Sequence, residues 1–135
     1  MVTSVDTSIL IDVLIKDPVH GEASKAALQR AASEGSLIIC ETVLAETSPA
    51  LTPAEVPLFI QDWGLSFVPS SEQSALLAGR MFKSHLERGG KQGRVAADFL
   101  IAAHAQIHAD RLLARDRGYY RDYFKHLKLW DPAKG

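Results

Sequence analysis

One cysteine in 135 residues, Cys40, leaves no partner for an internal disulfide and no thiol cluster for zinc or an iron–sulfur centre. No apolar run approaches the roughly 20 residues that a membrane-spanning helix needs, so no membrane association is expected. The opening apolar run is interrupted by Asp6 and Asp12 and has no basic lead, which excludes a signal peptide and makes the cytoplasm the expected compartment. Repeats, low-complexity tracts and linkers are absent as well, and a single domain spanning 1–135 follows from the length. What remains is an ordinary globular composition, 47% hydrophobic and 23% charged.

The net charge of −1 hides an asymmetry. Residues 1–68 hold 3 basic and 9 acidic side chains, a net −6, whereas residues 69–135 hold 12 and 7, a net +5. Such polarity suits an acidic site with a basic approach for a polyanion, although from charge alone two sets of solvated helix faces are the simpler account.

Apolar runs alternate with helical patterns along the whole chain. Strands are expected at 3–6, 36–39, 65–68, 112–114 and 127–130. Helices are expected after Thr7 or Ser8 as cap, at 20–34, 41–47, from Thr52-Pro53 to near Gly64, and at 71–88, 95–108 and 117–124. Strands separated by helices imply parallel pairing, hence an α/β three-layer sandwich around a mainly parallel sheet of four to five short strands.

Four acids lie where a solvated surface acid is not expected. Asp6 ends the first strand, and in an open α/β sheet ligands bind beyond the carboxyl ends of strands; the dipole of the following helix also accounts for an acid there. Asp12 sits about 240° further round that helix and reads as a surface or salt-bridge residue. Glu46 lies near the end of its helix, where the dipole disfavours an acid, while Glu41 sits in the first turn and is explained by dipole and solvent. Asp98 shares its face with Ile101, Ala102 and Ala105, a costly setting unless the carboxylate is paired, with Arg94 as one partner, or binds a metal. His104 and His108 point about 120° and 80° away from Asp98 and read as surface or partner-facing. Asp116 follows a strand just as Asp6 does. Four carboxylates gathered without a cation repel one another, and an oxygen-only set suits Mg²⁺ or Mn²⁺ rather than zinc.

These residues resemble the PIN-domain nucleases, and within them the VapC-type toxins of toxin–antitoxin pairs. The resemblance rests on Val5-Asp6-Thr7-Ser8, Leu44-Ala45-Glu46, the run Arg94-Val95-Ala96-Ala97-Asp98-Phe99-Leu100-Ile101-Ala102-Ala103, and Leu112-Leu113-Ala114-Arg115-Asp116-Arg117-Gly118. It implies that Asp6, Glu46, Asp98 and Asp116 form the family's acidic quartet, supported by Ser8 and Arg94. Where relatives often carry Thr two residues before the last acid this chain has Ala114, which puts in doubt a role for that position in orienting water or a second metal. The resemblance further implies a divalent-metal-dependent endoribonuclease, an RNA substrate, a homodimer, and a VapB-like antitoxin that lays a helix and a basic side chain across the acidic crevice. The apolar helices within 20–34 and 41–64 are candidate docking surfaces, although an apolar stripe is more often core. Arg80, Lys83, Arg88, Lys91, Arg115, Arg117 and Arg121 are candidates for holding the RNA backbone, and Tyr119 and Tyr120 for stacking on unpaired bases or for packing. Two rivals stand beside this reading. A catalytically weak PIN-like protein-binding module is one. An aspartate-based phosphatase or phosphotransferase is the other, although Ser8 replaces the second Asp that a haloacid-dehalogenase-like enzyme requires.

Overall fold

In a computed structural model, residues 1–90, 95–115 and 118–134 are described. Five parallel strands, β1 (Val2–Val5), β2 (Ser36–Ile39), β3 (Leu65–Phe67), β4 (Arg111–Leu113) and β5 (Leu129–Trp130), form one sheet in the order β3-β2-β1-β4-β5. Seven α-helices connect them among the described residues: α1 (Thr7–Leu14), α2 (Gly21–Glu34), α3 (Glu41–Thr47), α4 (Glu55–Trp63), α5 (Glu72–Glu87), α6 (Val95–His108) and α7 (Tyr119–Tyr123). The three-layer α/β/α sandwich expected from the alternation is what forms. Its strands β2 and β4, flanking β1, are mostly apolar because helices cover both faces; Val5, Leu37, Ile39, Leu112 and Leu113 are almost wholly buried, and so are Thr3 and Ser4 of β1.

The strand order fixes where a site belongs. From β1 the chain steps outward through β2 to β3, returns across the sheet, and then steps the other way from β4 to β5. The reversal lies between β1 and β4, whose registers pair Thr3 with Arg111, Ser4 with Leu112 and Val5 with Leu113. A crevice opens beyond the carboxyl ends at such a switch point. The next residue after β1 is Asp6, tied to β4 by its backbone N–H on the Leu113 carbonyl at 2.9 Å.

Several element ends have visible causes. Asp6 rather than Thr7 or Ser8 caps α1, its carboxylate accepting from the Ser8 N–H at 3.0 Å. Helix α4 begins after Pro53 rather than at it, with Thr52 and Glu55 exchanging backbone-to-side-chain hydrogen bonds ahead of its first full turn. Gly35 passes so close to the amino terminus that a Cβ would sit 1.9 Å from the Met1 carbonyl oxygen, so only glycine fits between α2 and β2.

Helix α6 departs from the expectation that two of its histidines face outward. Phe99, Ile101, Ala102, Ala103, His104 and Ala105 are all buried, and no side chain from 99 to 109 carries Asp, Glu, Lys or Arg. A helix apolar all round belongs in the interior. His104 is 0% exposed and its Nε2–H donates to the Val68 carbonyl at 2.7 Å, while His108 Nε2 meets the Ser71 hydroxyl at 3.1 Å. Burial pushes the His104 imidazole below its ordinary value of 6.5; His108 adds to the fall, and the Val68 carbonyl and Glu41 carboxylate oppose it. An unfolded histidine takes a proton near pH 6.5 while the folded one resists, so this contribution to stability is complete above 6.5 and is lost as pH falls through the folded value. The urea midpoint is therefore expected to be lower at about pH 5.5 than at about pH 7.5, with His104→Gln flattening the difference. A wild-type midpoint indifferent to this change would remove His104 as the cause.

Candidate active site

The crevice at the β1/β4 switch point is a cavity of about 410 Å³ lined by Asp6, Thr7, Ser8, Ile11, Glu46, Asp98, Arg115, Tyr119 and Tyr120. Three of the four expected acids thus share one lining, although they come from the N-cap of α1, the end of α3 and the first turn of α6. The fourth, Asp116, lies outside the described residues, as do Arg94, Lys91 and Arg117.

Asp6 is held from three sides. It is 6% exposed, and one carboxylate oxygen accepts from the backbone N–H and the hydroxyl of Ser8. The other accepts from the buried Tyr120 hydroxyl at 2.8 Å. A carboxylate fixed at both oxygens keeps a single orientation, and the oxygen that meets Tyr120, with one donor on it, retains a lone pair for a cation. Tyr120, read as a base-stacking or packing residue, is therefore a hydrogen-bond partner of the first acid. Its position 114 residues away hides that role from any local pattern. Glu46 is exposed, and its Oε1 accepts from the Thr7 hydroxyl at 2.7 Å. Thr7, read only as a cap, thus orients the second acid. Asp98 is half-buried and faces the same cavity.

A second layer supports the first. Asp12, read as a surface or salt-bridge residue, is 1% exposed, so the salt bridge is right and the surface is not. Arg115 forks onto it, Nε to Oδ2 at 2.8 Å and Nη2 to Oδ1 at 2.9 Å, and the Ser24 hydroxyl donates to Oδ2 at 2.7 Å. The Arg115 backbone N–H in turn donates to the Ser8 hydroxyl at 3.2 Å. A planar guanidinium meeting a carboxylate through two bonds is a rigid strut, and this one ties α1 to the segment leaving β4. Arg115 thus faces the cavity with its guanidinium engaged by Asp12. Of the other basic candidates, Arg80 and Lys83 are exposed on α5, Arg88 lies 4.9 Å over the Tyr123 ring, and Arg121 is exposed on α7. Glu41 is not in the lining: burial works to raise it, but the Ser70 backbone N–H and hydroxyl outweigh that and hold it below the ordinary carboxylate value.

The donor chemistry fits a hard divalent cation. The cavity lining offers three carboxylates and hydroxyls, with neither Cys nor His. Among the described residues no three His, Cys, Asp or Glu side chains are grouped closely enough to form a metal shell by themselves. Oxygen donors of this kind suit a hard divalent cation rather than a soft one.

The family model for the PIN domain matches residues 4–125. No curated protein matches the chain by sequence. Among solved structures, VapBC2 from Rickettsia felis, bound to a DNA fragment from their promoter, is similar with a TM-score of 0.72 at 20% identity, over 97% of this chain and 98% of that one. VapBC-1 from nontypeable Haemophilus influenzae gives 0.71 at 18% identity, over 98% and 99% of the two chains. FitAcB from Neisseria gonorrhoeae gives 0.68 at 19%, again over 98% and 99%. At these identities the likeness is one of fold: the same sandwich, nearly end to end.

Proposed function

Since this chain belongs to the PIN domain family, whose members are in general nucleases that use a divalent metal, we propose that it is a divalent-metal-dependent endoribonuclease acting as the toxin of a toxin–antitoxin pair. The observation that carries this reading is the convergence of Asp6, Glu46 and Asp98, from three separate stretches of chain, on one cavity at the sheet's switch point. Mg²⁺ or Mn²⁺ is the proposed cofactor. Asp6 and Asp98 would be its principal holders, directly or through water, with Glu46 and Asp116 completing the set. When bound, such an ion acidifies a water and offsets charge on the phosphate oxygens.

The chain's own residues supply the rest. Tyr120 and Ser8 hold Asp6 in one orientation, so no reorganisation is needed as the phosphate turns over. Thr7 keeps Glu46 facing the cavity, where it serves as acceptor for the proton of the attacking water. Arg115, locked on Asp12, holds the backbone that leads into Asp116. An aspartate-based phosphotransferase is a poorer fit, because both Asp6 oxygens are engaged and no Lys is present in the described lining.

The same reading makes RNA the substrate, the cytoplasm the place of action and 1–135 a single catalytic domain. It pairs the enzyme with a VapB-like antitoxin and with a second copy of itself as a homodimer. Ile15, Val19 and Leu58, at 61%, 78% and 57% exposure, are apolar positions open to such partners. The test is direct. Purified protein incubated with RNA is expected to cut in Mg²⁺ or Mn²⁺ and to stop when a chelator is added. Absence of cutting under every metal condition would sink the enzyme and leave the protein-binding module.

A further inference from the structure

A second cleft, of about 550 Å³, opens beside the edge strand β5. It is lined by Arg30 of α2, Arg111 at the start of β4, Arg121 of α7, Lys128, Lys134 and Trp130, with Leu129 and a single acid, Asp131. Five basic side chains around one acid are a large local excess in a chain whose net charge is −1. Part of that excess is organised. Arg111 donates through Nε to the buried Thr3 hydroxyl at 2.8 Å and through Nη2 to Glu34 at 2.7 Å, and its guanidinium lies 4.6 Å over the Trp130 ring. Arg30 reaches the same carboxylate at 3.5 Å and the same ring at 5.5 Å. Counting Glu34 with Asp131, the cleft still holds more positive than negative groups. Gathering like charges in one concavity costs free energy unless an anion occupies it.

The cleft is also adjacent to the acidic cavity. Helix α7 is shared between them: Tyr119 and Tyr120 line the acidic cavity, Tyr120 bonds Asp6, and the next residue, Arg121, lines the basic cleft. The two linings therefore meet at consecutive residues of one short helix.

We propose that this cleft is a phosphate-backbone site for the same single-stranded RNA that is cut at the acids, holding the part of the strand that has passed over α7. The inference rests on the nuclease reading for its substrate, but not for its measurement. It adds Arg30, Arg111, Lys128 and Lys134 to the residues that meet nucleic acid. Lys128 and Lys134 are point charges on flexible stems and Arg30 and Arg111 planar forks; cations that meet phosphates do not read bases, so the site contributes affinity rather than sequence choice.

The experiment uses the full chain and a fluorescein-labelled, mixed-sequence single-stranded RNA, titrated in chelator so that nothing is cut. The double variant Lys128→Glu/Lys134→Glu is expected to bind roughly tenfold more weakly, with the slope of log affinity against log salt reduced by about 1.4 for two lost contacts. The variant Lys16→Glu/Lys25→Glu carries the same charge change outside the cleft and is expected to bind as wild type. In Mg²⁺, the cleft variant is expected to raise KM for a long RNA at unchanged kcat, and to leave a short oligonucleotide unaffected. Equal weakening by both double variants, or by neither, overturns the proposal. So does unchanged RNA binding with loss of binding to a poly-glutamate peptide, which would assign the cleft to an acidic protein. A wild type that binds RNA through the cleft but never cuts it would overturn the nuclease reading and keep this one.

Discussion

Asp6→Asn is expected to slow RNA cleavage roughly a thousandfold or more while leaving the fold intact. The substitution keeps the size of the side chain and one oxygen, and asparagine also caps helices well, so α1 still starts where it does. What it removes is the negative charge at the one acid gripped by both Ser8 and Tyr120. Loss of a metal's charge stabilisation, about 4 kcal/mol, corresponds to about three decades in rate. Tyr120→Phe should fall between this variant and wild type, weakening metal binding about ten- to hundredfold by freeing the carboxylate it orients. Cleavage rates measured across a Mn²⁺ titration separate the two: excess metal rescues Tyr120→Phe and does not rescue Asp6→Asn. Wild-type rates in Asp6→Asn would discard the acidic cavity as the place of chemistry.

Arg115→Ala is expected to be the most destabilising single change in the supporting layer, at about 3 kcal/mol. It strips the fork from Asp12, which at 1% exposure is left with Ser24 as its remaining described hydrogen-bond partner. The figure sits at the low end for a buried pair because the Arg115 side chain is 33% exposed and water offsets part of its loss. For a domain of this size the melting temperature should drop by about 10 °C. Asp12→Ala leaves the partly exposed cation instead, which water solvates, and is expected to cost about half as much. Calorimetry on both variants decides the matter: a larger loss from Asp12→Ala would show that the pair's stability does not lie in compensating a buried anion.

Much of the fold was open to sequence reasoning because it rests on local patterns. Ser36–Ile39 and Glu41–Thr47 fall where the apolar run and the following acid place them, and α6 occupies the expected 95–108. The acids Asp6, Glu46 and Asp98 stood out for the same reason, each in a setting that a solvated carboxylate does not favour. What escaped was whatever depends on distant partners. Asp12 looks like any acid on a surface helix until Arg115, 103 residues on, is brought beside it. Tyr120 gives no local sign that its hydroxyl will reach Asp6. His104 was misread for another reason: angular position relative to Asp98 means little on a helix that is buried on nearly every side, and the lack of charge from 99 to 109 was the better signal.

The central place of β1 sets the order in which this molecule is completed during synthesis. Strand β1 pairs on one side with β2, close behind it, and on the other with β4, more than a hundred residues later. Until that late segment emerges, the middle of the sheet has a bare edge, and neither Arg115 nor Tyr120 exists to steady the amino-terminal acid. On the proposed function, the site would stay incomplete until residues 115 and 120 have been made.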